Sequence, residues 1–122
     1  MITIKRAYDP PSSSDGTRVL VDRLWPRGVS KEELNLDMWI KEVAPSATLR
    51  KWFSHDPERW KEFQRRYIDE LKDNEQAWKP IAKAAHEHHV TLVFGSRDVE
   101  HNNAVVLQKF LSTHGKTVDS HS

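Results

Sequence analysis

Two short segments of this chain carry arginine, aspartate, histidine and asparagine at spacings that could serve an anion-binding or acid–base site. The first is VDRLWPRG, residues 21–28, where Asp22, Arg23 and Arg27 follow an apolar run. An arginine guanidinium offers a planar fork of donors that matches phosphate and carboxylate oxygens. The second is RDVEHNNA, residues 97–104. Together the two segments supply donors for an anion and a group that titrates near neutral pH.

The second segment provides the candidate acid–base residues. His101 changes charge near neutral pH and could donate or accept a proton, and Asp98 lies three residues before it. The amide of Asn102 could orient a substrate oxygen. Asparagine and aspartate also collect at helix starts because they cap the first backbone amides, so a purely structural role stays open.

Trp25 and His55 complete the set of candidate ligand-binding residues, which otherwise comprises Asp22, Arg23, Arg27 and Asn102. His55 precedes Asp56 and Pro57 at a helix start, and a cap with solvated charges explains most of that pattern. For VDRLWPRG the structural alternative is an ion pair between Asp22 and Arg23 that fixes the loop, with Trp25 plugging the end of the sheet.

Buried strands must bring the two segments together. The run VLV at 19–21 and the run VTLVF at 90–94 are continuous and rich in β-branched residues, which is typical of strands covered on both faces. We expect residues 18–23 and 90–95 to form neighbouring or near-neighbouring parallel strands. In such sheets ligands bind outside the carboxyl ends of the strands, where both polar segments begin.

Helical patterns alternate with the strands. Ser46 caps a predicted helix over 46–53, and Asp56 with Pro57 begins one whose core face is Trp60, Phe63, Tyr67 and Leu71. Residues 74–88 form another, in which Pro80 either delays the start or bends the helix. A last helix has Asp98 as its possible cap and Gly115 just past its end. Residues 36–43 fit either a helix or a short strand.

These elements predict a single small α/β domain over residues 1–115, with a mainly parallel, short sheet flanked by helices, followed by a flexible tail at 116–122. The net charge of +1 gives no global reason to bind nucleic acid or a membrane. The chain has no cysteine, which excludes disulfides and thiolate chemistry. HEHH at 86–89 lacks carboxylates at ligand spacing, so we assign no metal and no cofactor.

Three long motifs, VLVDRLWPRGVSKEEL, APSATLRKWFSHDPERWKEFQRRYIDEL and DVEHNNAVVL, resemble the YeaO-like family, domain-of-unknown-function family 488, over most of residues 1–112. The resemblance implies a compact α/β fold and no particular reaction. It implies a motif set of Asp22, Arg23, Trp25, Pro26, Arg27, Gly28, His55, Asp56, Asp98, His101 and Asn102. A more distant branch carries a Cys-His-Arg cluster where this chain has 102–104, and without sulfur that branch's thiol chemistry does not transfer.

The sequence therefore predicts a cytoplasmic protein that binds an anionic small molecule, bearing a phosphate or a nucleotide, at the rim of its sheet. Slow acid–base chemistry at His101 is an additional hypothesis. The alternative is a non-catalytic module that binds nucleic acid or protein through the basic helix around 59–66. No apolar segment approaches the roughly 20 residues needed to span a bilayer. The oligomeric state is left open.

Overall fold

One parallel sheet organises residues 1–115, the part of the chain that the computed structural model describes; the expected tail at 116–122 lies outside the described residues. Its strands are β1 (Ile2–Arg6), β2 (Thr17–Leu20), β3 (Met38–Trp39) and β4 (Val90–Phe94), in the spatial order β1-β4-β2-β3. Every neighbouring pair is parallel. The prediction that the two apolar runs form neighbouring or near-neighbouring parallel strands is confirmed, and the two strands, β2 and β4, are direct neighbours.

The helices are α1 (Lys31–Leu34), α2 (Ala47–Phe53), α3 (Trp60–Lys72), α4 (Glu75–Glu87) and α5 (Asn103–Phe110). Short 3₁₀ turns cover Ser13–Asp15, Lys41–Val43 and Pro57–Arg59, and a π-helical turn, Leu111–Gly115, follows α5. No helix among these residues is long and apolar enough to cross a membrane. The chain is thus a small α/β domain, as the strand and helix patterns predicted.

Both faces of the sheet are covered, which explains the continuous apolar runs. Val19, Leu92 and Phe94 face the main core, where Phe63, Tyr67 and Leu71 of α3 pack with residues of α2, α4 and α5. Leu20 and Val93 face a smaller cluster with Leu34 of α1, against which Trp25 and Trp39 pack. β4 is buried at each of its five positions. A strand buried on both faces needs apolar residues at every position rather than at alternate ones.

The structure decides two local questions that the sequence left open and refines the start of a predicted helix. Residues 38–39 form the edge strand β3, paired with Val19 and Leu20, and a 3₁₀ turn follows. Helix α4 begins at Glu75, so Pro80 lies inside it. The Pro57 turn leads into α3, and the Asp56 side chain caps that turn by accepting a hydrogen bond from the Glu58 amide.

The cap of the last helix differs from the expectation. Asn102, not Asp98, caps α5: its backbone is extended and its side-chain oxygen accepts from the Val105 amide at 3.1 Å. Asp98 instead closes the preceding turn, because its Oδ1 accepts from the amides of Glu100 and His101, each at 2.9 Å. Two successive side-chain-stabilised turns therefore stand where one cap was predicted.

Candidate functional site: a cationic cleft at the carboxyl ends of β2 and β4

A cleft of about 590 Å³ opens where β2 and β4 end. Asp22, Arg23, Leu24 and Arg27 reach it from the loop after β2, and Gly95 and Ser96 from the residues after β4. The remaining lining residues come from the segments around α2, α3 and α5: Ala44, Pro45, Arg50, Phe53, His55, Phe63, His101, Asn102 and Asn103. We call this set of residues the cleft.

Of the eight candidate residues predicted from the sequence, six line the cleft: Asp22, Arg23, Arg27, His55, His101 and Asn102. Asp98 does not line it but contacts His101, which does. Trp25 lies apart. Its indole N–H donates to the Val29 carbonyl at 2.6 Å, and its ring packs edge-on against Trp39 at 5.4 Å, beside the smaller apolar cluster. For Trp25 the structural alternative describes the contacts better.

Asp22 joins the two segments that the sheet brings together. Its Oδ2 accepts from the Gly95 amide at 2.7 Å, and its Oδ1 accepts from the Asn103 side chain at 3.1 Å. Asn103 also donates to the Val21 carbonyl at 3.1 Å. These bonds hold the end of β2 against the end of β4 and the first turn of α5. Among residues 1–115, no ion pair joins Asp22 to Arg23, so the pair that the structural alternative requires is absent there.

Burial dominates the electrostatics of Asp22. Loss of water around the carboxylate raises its pKa above the usual value of 3.8, although the Gly95 amide, the Asn103 amide and the positive charge of Arg50 each act in the opposite direction. The carboxylate is the negative group of a cleft that also holds three arginines. With both histidines neutral, three positive charges and one negative charge leave a net charge of +2.

Within residues 1–115 the side chains of the three cleft arginines, Arg23, Arg27 and Arg50, make no hydrogen bond and no ion pair. The Nε atoms of Arg23 and Arg50 are buried without an acceptor. A buried donor that lacks an acceptor costs about 1–3 kcal/mol, and more when it is charged. The Nε atoms of Arg23 and Arg50 are therefore the buried donors of the cleft that an added acceptor would satisfy, whereas Arg27 is exposed to water.

His101 has a defined orientation. Its Nδ1 lies 3.0 Å from Oδ2 of Asp98. The pKa of Asp98 is lowered by the Glu100 and His101 amides and by the His101 ring, so at neutral pH Asp98 is a carboxylate that only accepts hydrogen bonds. Nδ1 must then carry a proton, which leaves Nε2 as an acceptor in the neutral ring or a donor in the imidazolium. The ring packs edge-on against Trp60 at 5.1 Å.

Asn102 and His55 are held in different ways. Both polar atoms of the Asn102 side chain are engaged, since its oxygen caps α5 and its Nδ2 donates to the Asp98 carbonyl at 2.8 Å, so it positions the helix start. His55 has a left-handed backbone, with φ at 56°, and its ring lies 5.9 Å from that of Phe53. A non-glycine residue rarely adopts such a backbone, and such strain is commonly found at functional sites.

The sequence interpretation missed two residues of this site. Arg50 lies in α2, four residues after the capping Ser46, and the sequence analysis does not include it among the candidate residues. Asn103 was passed over in favour of its neighbour Asn102. The sequence gives only a weak signal for Arg50. Because Ser46 predicts where the helix begins, it places Arg50 about one turn into the helix, close to the preceding loop. No signal in the sequence distinguishes which of two adjacent asparagines caps the helix.

The pKa values of Asp22 and Asp98 should be shifted in opposite directions, and ¹³C NMR of the side-chain carboxyl groups would measure both. We expect Asp22 to titrate above its usual value of 3.8 and Asp98 below it. Asp22 then contributes stability that is fully present below the unfolded-state pKa and is lost as the pH rises through its folded-state pKa. Asp98 contributes stability that is lost as the pH falls through its own folded-state pKa. Finding Asp22 at or below 3.8 would contradict the burial argument.

The chain belongs to the family described as the inactive DUF488-N3 subclade, whose model matches residues 1–122. It is 44% identical to the uncharacterized protein YeaO of Escherichia coli strain K12 over 110 residues, 90% of this chain and 96% of that protein. It is 40% identical over 111 residues to the uncharacterized proteins Rv3073c of Mycobacterium tuberculosis and Mb3100c of Mycobacterium bovis, covering 91% of this chain and 93% of each. No solved structure matches the chain significantly.

Proposed function

We propose that this protein binds a small phosphate-bearing anion in the cleft. The observation that carries the proposal is the group of three arginines, Arg23, Arg27 and Arg50, which line one cavity and whose side chains have no acceptor among the residues that the structure describes. A phosphate offers several oxygens to such donors, and guanidinium groups bind it in a bidentate manner. The net charge of +2 in the cleft contrasts with +1 for the whole chain, so a disproportionate share of positive charge lies at this cavity.

The proposed role is binding rather than turnover. The family description, which includes the word inactive, supports this choice. In this proposal the Nε2 atom of His101 adds a further contact to the anion, as a donor when the ring is protonated. Asp22 organises the cleft through Gly95 and Asn103 and limits its positive charge.

The basic helix around 59–66 remains a second hypothesis for a nucleic-acid or protein partner, and its contacts support it less. Arg65 and Arg66 contact Glu62 at 2.6 and 2.8 Å, and Arg59 contacts Asp56 at 3.6 Å. The two arginine contacts lower the pKa of Glu62 to about 2. Guanidinium groups that already face carboxylates offer less to a phosphate backbone than unpaired ones do.

Thermal unfolding tests the proposal. Orthophosphate or pyrophosphate at 100 times its dissociation constant should stabilise the fold by about 2.7 kcal/mol, which for a domain of this size raises Tm by roughly 10 °C. Sodium chloride at matched ionic strength should produce no comparable shift. The gain arises because only the folded state assembles the three arginines.

Two charge-matched variants locate the binding. Arg27→Gln removes an unpaired cleft arginine and should abolish most of the shift, while its Tm without ligand stays near that of the unaltered protein. Arg65→Gln removes an arginine of the α3 surface and should leave the shift intact. An equal loss in both variants, or no shift with any phosphate, would refute the proposed function. A strongly lowered Tm of Arg27→Gln without ligand would assign VDRLWPRG a structural role instead.

A further inference from the structure

The cleft has an apolar wall in addition to its arginines. Ala44 and Pro45 line it from the loop before α2, Phe53 from the end of α2, Phe63 from α3 and Leu24 from the loop after β2. A site made only for an inorganic ion needs charge and donors but gains nothing from such side chains. Binding sites for organic molecules combine an apolar lining with a few placed polar groups.

Stacked aromatic rings support this wall. The rings of Phe53 and Phe63 stack with their centroids 4.3 Å apart. His55 lies 5.9 Å from Phe53, and Trp60 lies 5.7 Å from Phe63 and 5.1 Å from His101. The two cleft histidines therefore sit at the two ends of one aromatic row. The main core holds Phe53 and Phe63 almost fully buried, so the wall is rigid before any ligand arrives.

Leu24 is the exposed apolar residue at this cavity. Its side chain lines the cleft, yet 71% of the residue is exposed, and it stands directly beside Arg23. Among the described large hydrophobic residues only Met1 is more exposed. A ligand that places an apolar body against Leu24 while its phosphate meets the arginines would cover surface that the protein leaves in water.

The volume of the cleft also favours an organic ligand over an inorganic ion. About 590 Å³ falls within the range of roughly 300–1,000 Å³ that is usual for sites of organic ligands. A water molecule accounts for about 30 Å³ of liquid, and an inorganic phosphate is only a few times larger, so it would leave most of the cleft filled with water. We infer that the ligand is an organic phosphomonoester with an aromatic or heteroaromatic body, the phosphate at the arginines and the ring along the wall formed by Leu24, Pro45, Phe53 and Phe63.

This inference rests on the proposed function, and calorimetric titration separates the two. The probes are orthophosphate, ribose 5-phosphate, phenyl phosphate and adenosine 5′-monophosphate, with adenosine as the probe that lacks a phosphate. Phenyl phosphate and adenosine 5′-monophosphate should bind at least tenfold more tightly than orthophosphate and ribose 5-phosphate, and adenosine should bind most weakly. A tenfold gain is about 1.4 kcal/mol, which corresponds to about 55 Å² of buried apolar surface.

The variant Leu24→Ser tests whether the apolar wall provides the tighter binding of aromatic phosphates. It should reduce the ratio of phenyl phosphate to orthophosphate affinity at least threefold. Val99→Ser is the matched control, because Val99 is 54% exposed and lies outside the cleft lining, and this variant should keep the ratio of the unaltered protein. The variant positions are exposed, so both proteins should fold.

The results of these titrations distinguish the inference about the aromatic body from the proposed phosphate binding. Equal affinities for phenyl phosphate and orthophosphate would overturn the inference and leave phosphate binding in the cleft intact. An aromatic preference that Leu24→Ser does not change would also overturn it, because the ring would then bind elsewhere. No measurable binding of any phosphate would overturn the inference together with the proposed function.

Discussion

Replacing Asp15 by alanine should lower the free energy of unfolding by about 3–5 kcal/mol, because it leaves a buried arginine without its counter-charge. Arg18 is 3% exposed, and its Nη1 lies 2.7 Å from Oδ2 of Asp15. Lys5 contacts the same carboxylate at 3.0 Å, and the Asp15 carbonyl accepts from the Thr91 hydroxyl at 2.7 Å. The loss is a large part of the roughly 5–15 kcal/mol that stabilises a domain. Urea unfolding followed by tryptophan fluorescence measures it.

Acid titration provides a second measurement for Asp15. Burial alone would raise the pKa of Asp15, but the Ser12 amide, Lys5 and Arg18 together lower it below its usual value of 3.8. The stability it contributes is therefore present above the unfolded-state pKa and lost as the pH falls through the folded-state pKa. The alanine variant should lack this acid-dependent loss.

Two further variants serve as controls for Asp15→Ala. Glu62→Ala removes a carboxylate whose ion pairs with Arg65 and Arg66 lie on the surface, so it should change stability little. Adding Arg18→Met to Asp15→Ala should restore part of the stability, because the unpaired buried charge is then gone. If Asp15→Ala costs less than about 1 kcal/mol, water reaches Arg18 and the buried-pair account is wrong.

Gly16→Ala should cost about 3 kcal/mol, the second large effect. Gly16 has φ at 65° and ψ at −135°, a backbone conformation that disfavours a side chain. An added Cβ would lie 2.2 Å from the carbonyl oxygen of His89, a backbone atom that cannot rotate away. That carbonyl accepts the Thr17 amide at 2.9 Å, where the pairing of β2 with β4 begins. The strain would therefore act on the central strands.

Gly28→Ala is the matched control because it separates backbone strain from the clash. Gly28 also has a positive φ, at 78°, but an added Cβ meets nothing within 4 Å. It should cost only about 1 kcal/mol, the backbone contribution alone. Chemical unfolding of the two variants under the same conditions tests the difference. Equal losses would show that His89 moves away easily.

Much of the fold could be predicted from patterns that depend on neighbouring residues. The runs at 19–21 and 90–94 predicted buried parallel strands because covered strands must be apolar at every position. Ser46 predicted the start of α2, and the spacing of Phe63, Tyr67 and Leu71 predicted the buried face of α3. Each of these signals lies within one element, where backbone geometry and side-chain spacing are coupled.

The site was harder to predict, because its members meet only through the sheet. The gathering of Arg23, Arg27 and His101 at one rim followed from the rule that parallel strands place their carboxyl ends together. Arg50 did not follow, because it reaches the cleft through the packing of α2 on the core. Asp15 follows three serines, a composition typical of a turn or loop, and only its pairing with Arg18 shows why an acidic residue is buried there.

By itself the sequence determined the α/β class, the two central strands and the absence of thiol chemistry, since composition and short-range periodicity are properties of the chain alone. The tertiary structure decided which polar groups have partners. It pairs Asp22 with Gly95 and Asn103, makes Asn102 the cap of α5, and leaves the side chains of the three cleft arginines without an acceptor within residues 1–115. A hydrogen bond requires a donor and an acceptor about 3 Å apart. When the two residues are far apart in sequence, only the packing of the folded chain fixes that distance.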